Sequence, residues 1–173
     1  MATVPIREDF ENYTPPRWFR RRVERLLAPL EVGHTNGLAA IVLTNAAVAD
    51  NRKSRRPMRR RRKGLAIGRY HPGVRGRQPW IELIVDRIVG QLPHVLQFFP
   101  LLQYLTVAHV LYHEIGHHLH ETVGSAARGG EPSAEEWRKR LTRRYFPKRH
   151  GFVLRLFRPI ARAFVRRSRR HRP

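Results

Sequence analysis

The chain has no cysteine among its 173 residues. That excludes disulfides and every thiolate-held metal centre, so a metal would have to be held by His, Glu or Asp. Acidic residues are scarce as well: 13 Asp and Glu stand against 35 Lys and Arg, a formal net charge of +22. Such an imbalance bears on partners and solubility and says little about fold. Any long unbroken apolar run is also missing. The N-terminal stretch MATVPIREDFENYTPPRW has no apolar core of signal-peptide length. The least charged segment, Leu92 to Tyr112, is broken by Pro93, His94, Gln97, Pro100, Gln103 and His109, and reads as a buried helix. A cytoplasmic setting without a transmembrane span is the expectation. No Gly-rich phosphate loop, zinc-finger or RRM pattern occurs, and there are no internal repeats.

The length suits one domain with a single core. Residues 1–16 are polar with a Pro-Pro step and read as a flexible arm. Trp18, Val23, Leu26, Leu27 and Leu30 make an apolar stripe for a helix from Arg17 to about Leu30, with arginines outside it. Three short strands are expected: Leu38–Thr44, Gly64–His71 and Pro79–Asp86. Pro79 suits an edge position for the third, and Glu82 its wet face. Asn51–Lys63, with nine Lys or Arg in thirteen residues, reads as an exposed loop. A helix follows with apolar residues on all sides, then a Gly-rich connector from Gly124 to Gly130. The next helix opens at Glu131 or Ser133, where Ser133–Glu136 has the capping-box pattern, and Trp137, Leu141, Tyr145 and Phe146 face inward. Residues 17–150 are read as the domain, 151–167 as a basic amphipathic helix packed on it, and 168–173 as a basic tail. The fold class is α+β: a short three-stranded sheet on a central helix, with helices at either end.

That central helix carries His113-Glu114-Ile115-Gly116-His117. Residues four apart on an α-helix stand one above the other, about 6 Å apart. Both imidazoles therefore leave one face and can reach a single ion at roughly 2.0–2.1 Å each. Glu114, turned about 100° from His113, is better placed to act on a water than to ligate. A catalytic zinc needs one more protein ligand, and the downstream candidates are His118, His120, Glu121, Glu131, Glu135 and Glu136. His118 lies on another face, and His120 sits too near the same helix wall to close a tetrahedron easily. The third ligand is therefore expected on the next helix. His109 extends the stripe by one turn, but three turns of a straight helix cannot converge on one ion. It is read as packing in the core or behind a ligand.

The motif, the glycine connector and the acidic helix after it resemble the gluzincin metallopeptidases. Glu131-Pro132-Ser133-Ala134-Glu135 is similar to the segment that completes the site in the small ImmA/IrrE-like minigluzincins. The resemblance covers roughly Leu65 to Tyr145 and implies a zincin-like domain. It also implies Glu131 as third ligand and Glu135 behind a ligand His, orienting it. The pattern departs in spacing: thirteen residues separate His117 from Glu131, whereas Glu136, with eighteen, fits another gluzincin branch. Glu131 ranks first as ligand, Glu136 second and Glu135 third.

With Zn2+ at such a site, Glu114 would be the general base of peptide hydrolysis. Tyr112, Tyr145 or an exposed His is a candidate donor to the oxyanion. The strand carrying Trp80, Ile81, Glu82 and Leu83 is expected to hold an extended substrate by β-augmentation, the usual mode of gluzincin-like clefts. The Arg-rich stretches 52–63, 138–149 and 155–172 leave nucleic acid as a further partner, ranked above an anionic membrane surface. Compositional bias with simply solvated arginines is the plain alternative. As a whole-protein alternative, the chain is a basic nucleic-acid- or partner-binding protein whose zinc site is structural or inactive.

Overall fold

In the computed structural model, which describes residues 4–54, 66–74, 76–122 and 130–145, the β-branched runs of the chain lie at the centre. Ile41–Thr44 (β2) and Trp80–Ile84 (β4) run parallel, side by side, and are largely buried. Ile6–Asp9 (β1) pairs parallel to β2, and Gly68–His71 (β3) pairs antiparallel to β4, so the order is β1-β2-β4-β3. Ile6, Ile41, Ile81 and Tyr70 fall in one cross-strand row, and Arg7, Val42, Glu82 and Arg69 in the next. Successive rows face opposite sides of the sheet.

One side is apolar. Phe19, Val23, Leu26 and Leu27 of α1 (Trp18–Leu27) recur at helical spacing and form one cluster with Ile41, Leu43, Ile81 and Leu83. The long helix α4 (Pro100–Thr122) joins them through Val107, Leu111 and Ile115. It is buried nearly all round because α1, β3 and α5 (Gly130–Tyr145) each pack against a different side. Two shorter helices complete the described chain, α2 (Ala46–Ser54) and α3 (Val85–Gly90). Among the described residues no helix is long and apolar enough to cross a membrane.

The sheet differs from expectation in three ways. It has four strands, because part of the N-terminal arm is β1. That segment is fastened by a reciprocal clamp in which Asn45 donates to the Glu11 carbonyl at 2.8 Å and accepts the Glu11 N–H at 3.1 Å. Second, β4 is interior. Pro79 lies just outside the strand and lacks only a donor; its carbonyl still accepts from the Ala39 N–H at 2.8 Å, which starts the β2–β4 pairing. The edge strand beside α4 is β3, so an edge role for Trp80, Ile81, Glu82 and Leu83 does not hold. Third, β4 stops at Ile84, and Val85 and Asp86 begin α3. Among the helices, α5 begins at Gly130, which puts Ser133 inside it rather than at its cap. Asn51–Ser54 closes α2. Residues 55–65, the connector residues 123–129 and the C-terminal stretch 146–173, with its expected basic helix and tail, lie outside the described residues.

Glu82 is 0% exposed, a carboxylate in the middle of a sheet. Such a charge is tolerated only when paired. Arg52 Nη1 lies 2.9 Å from it, His71 Nε2 3.2 Å and Arg69 Nη1 3.3 Å, and the Thr44 hydroxyl donates at 3.5 Å. Burial alone pushes the pKa of Glu82 up, but His71, Arg69 and Arg52 together outweigh it and leave the pKa below its ordinary value. An acid with a depressed folded pKa adds stability above its unfolded pKa, near 4.3, and loses it as pH falls through the folded value. Glu82→Gln is expected to cost on the order of 3 kcal/mol at neutral pH. That gap between mutant and wild type should shrink below about pH 4.3 as the wild-type carboxylate protonates. Urea unfolding of both proteins across that range measures it. A gap that stays constant with pH would mean that the ion cluster does not stabilise the sheet.

Candidate metal centre

The burial of α4 turns His113 and His117 towards its one open side. Their rings stand 4.8 Å apart, centroid to centroid, at 87° to each other. Opposite them, Glu131 occupies the second position of α5. Its Oε2 is 3.4 Å from His113 Nε2, and its Oε1 is 3.9 Å from His117 Nε2. One donor atom from each of the three lies within 4.8 Å of the other two. Two ligands at 2.0–2.1 Å from a tetrahedral zinc are about 3.4 Å apart. The first pair meets that spacing; the second, through the other carboxylate oxygen, is about half an ångström long, and with the one-atom-each set spread within 4.8 Å the side chains would close in on an ion. An all-N/O set of two His and one carboxylate, with an open side, fits a zinc ion of the catalytic type. Burial, then the neighbouring His113, lowers the pKa of His117 and favours the neutral imidazole that ligates metal.

Gly116 explains why Glu131 can come so close. A Cβ placed there would lie 2.5 Å from the carbonyl oxygen of Ala134 and 2.9 Å from its Cα. The two helix backbones touch with nothing between them. Gly116→Ala gains up to about 1 kcal/mol of helix propensity, but overpacking against rigid backbone costs roughly 1–3 kcal/mol. The expected outcome is a lower melting temperature, seen by circular dichroism, together with weaker metal binding as α5 is pushed away. A variant that melts higher than wild type would mean that the helices are not in this contact.

Glu114 faces the adjoining wall and is only 6% exposed. Burial pushes its pKa up to about 8, opposed by the Tyr70 backbone N–H that it accepts and raised further by nearby Glu131. A divalent cation among His113, His117 and Glu131 would pull it back down. Strand β3 approaches this closely because residue 68 is glycine: a Cβ there would stand 2.7 Å from Glu114 Oε1 and 2.6 Å from Val110 Cγ1. Together β3, the middle of α4 and the start of α5 enclose an open cleft of about 670 Å³.

The remaining candidates are placed as follows. Glu135 does not reach the metal side. Its Oε2 is 4.0 Å from His113 Nδ1, on the far side of that ring, and Arg138 holds both its oxygens at 2.6 Å. Those hydrogen bonds drop its pKa to about 2. Glu136 points to solvent and pairs with Arg140. His109 is exposed on the cleft wall and is not a core residue. His118 is buried: its Nε2 donates to the Asn36 carbonyl at 2.9 Å, and its Nδ1 lies 3.4 Å from the Tyr70 hydroxyl, whose single proton goes to Glu121 Oε2 at 3.2 Å. Tyr112 is spent on the Leu26 carbonyl and cannot serve an oxyanion. Tyr145 packs against His34, with ring centroids 5.7 Å apart. The β3 wall, with Tyr70 and its hydrogen-bond partner Glu121, was not read from the sequence as part of a site. The one local signal was the glycine at position 68, inside a strand pattern, which marks close approach of another group. No protein-family model, no curated protein and no solved structure matches the chain.

Proposed function

We propose that the protein is a zinc-dependent peptidase of the gluzincin type, with His113, His117 and Glu131 as ligands and Glu114 as the proton-transfer group. The observation that carries this reading is the convergence of the three donor atoms within 4.8 Å, beside a buried carboxyl and in an open cleft. The α+β domain, with its sheet against the motif helix and a ligand-bearing helix after it, is compatible with a small zincin.

Bound zinc would supply a Lewis acid and an acidified water. The other work falls to the chain. Glu114, fixed by the Tyr70 N–H on one wall, takes a proton on its free oxygen as a nucleophilic water attacks the scissile carbonyl, and returns it to the leaving nitrogen. The exposed edge of β3 is the surface on which an extended peptide can add as a strand, with its backbone beside the two histidines. Burial of Glu114 keeps bulk water from competing for that proton.

Metal-free protein given one equivalent of zinc and offered a mixed peptide library tests the reading. Zinc-dependent cleavage is the expected result. Stoichiometric zinc binding with no peptide cut would leave a structural site and end the peptidase proposal.

A further inference from the structure

Large apolar side chains exposed on a surface are informative when they cluster. Among the described residues five stand out: Val32, Val74, Val95, Phe98 and Phe99. Three of them fall within five consecutive positions, in and just after the short 3-10 turn His94–Phe98 that leads into α4. Val95 is 73% exposed and Phe98 83%, so these side chains project outward and do not line a groove. The backbone beneath them is pinned. Leu96 N–H donates to the Pro93 carbonyl at 2.8 Å, the Gln97 amide to the Leu92 carbonyl at 3.0 Å, and the Gln103 amide to the Gln97 carbonyl at 2.5 Å. Presenting the aromatics outward therefore needs no further ordering of the chain.

The charge beside this turn is positive. Arg22 of α1 donates to Gln103 Oε1 from both Nη2 (3.1 Å) and Nε (3.3 Å), two hydrogen bonds from the turn itself, and lies over the Tyr104 ring at 4.2 Å. On the same helix Arg21 and Arg25 are exposed, with no carboxylate partner among the described residues. The whole chain carries +22. A protruding aromatic tip on a chain of this charge, with Arg22 two hydrogen bonds away and Arg21 and Arg25 exposed on the same helix, has the two elements that reversible attachment to an anionic bilayer requires, apolar insertion and headgroup attraction. A protein partner would have to supply a concave apolar socket with an acidic rim; a bilayer needs only its ordinary surface.

We propose that the Val95–Phe99 tip is a docking surface for an anionic lipid bilayer, with Phe98 inserted below the headgroups and the α1 arginines against them. From Pro100 to His113 is thirteen residues, about 20 Å along α4. The cleft would then be held within that distance of the membrane, where a membrane-proximal peptide segment is in reach. The docking surface does not depend on zinc or on cleavage, so either can fail without the other.

The test uses the full chain and vesicles of phosphatidylcholine, with and without phosphatidylglycerol. Wild type is expected to sediment with the anionic vesicles. Val95→Ser/Phe98→Ser should weaken binding by about tenfold or more while melting normally, because the deleted area is mostly exposed. In Phe98→Trp, the emission in excess of the three native tryptophans should shift to the blue when anionic vesicles are added. Equal binding by the double serine variant would overturn the proposal in favour of charge alone. So would an excess emission from Phe98→Trp that vesicles leave unchanged. A blue shift on concentrating the protein without lipid would overturn it in favour of a second copy of the chain.

Discussion

Glu131→Ala is expected to abolish stoichiometric zinc binding at micromolar metal, while Glu136→Ala leaves it unchanged and Glu135→Ala weakens it only modestly. The three glutamates lie within six residues of one helix, but they do different things. Glu131 places an oxygen 3.4 Å from His113 Nε2; Glu136 is tied to Arg140 in solvent; Glu135 is held by Arg138 behind His113. Loss of a group that merely orients a ligand costs about 10–100-fold in metal affinity. Loss of one of three ligands should exceed that, because two histidines on one helix cannot close a tetrahedron. Isothermal titration reads the affinity directly. A second readout is independent of activity: zinc at a hundred times its dissociation constant stabilises the native state by about 2.7 kcal/mol. The corresponding rise in melting temperature should appear in wild type and Glu136→Ala and vanish in Glu131→Ala. If Glu136→Ala lost zinc and Glu131→Ala kept it, the ligand assignment would be wrong and α5 would have to sit in another register.

The parts of this structure that were legible in the sequence are those set by short-range geometry. The i, i+4 spacing of His113 and His117 and the all-round apolar pattern of their helix need no partner to be read. That a third group should come from the next helix was read from the crowding on the motif helix, and the first rank of Glu131 among its three acids from the resemblance to the minigluzincin segment; its Oε2 stands 3.4 Å from His113 Nε2. The misread parts depend on partners distant in sequence. β1 has a single apolar residue in four, Ile6; it is a strand because Ile41 and its neighbours offer an open edge and Asn45 clamps the chain beyond it. Glu82 looked like a residue facing water. It is buried because Arg52, Arg69 and His71, 30, 13 and 11 positions away, converge on it from α2 and β3. A carboxylate in a strand reads as wet until its counter-ions are known; β4 read as an edge because of Pro79, which lies just outside the strand and costs it no ladder donor. The free edge expected of β4 is that of β3, whose Tyr70 N–H is accepted by Glu114 and whose Gly68 leaves room for that side chain.

Glu114→Gln should leave zinc affinity and fold intact and remove peptide cleavage, by about 10²–10⁴-fold on the usual scale of general-base catalysis. The choice of glutamine rests on burial. Glu114 accepts the Tyr70 N–H in a nearly closed site, and alanine there would orphan that donor at a cost of roughly 1–3 kcal/mol. The glutamine carbonyl can accept the same N–H, fills the same volume beside Gly68, and carries no charge to desolvate. What it cannot do is take a proton. The substitution thus separates proton transfer from packing and from metal binding, which Glu131→Ala cannot do. Cleavage by Glu114→Gln at the wild-type rate, with zinc bound, would show that the buried carboxyl is a core residue that happens to adjoin the metal. The peptidase reading would then lose its base, since the remaining carboxylates at the cleft have other roles: Glu131 as the proposed ligand, Glu135 paired with Arg138 and Glu121 with the Tyr70 hydroxyl. Loss of cleavage with zinc and melting temperature unchanged is the outcome that assigns the proton to Glu114.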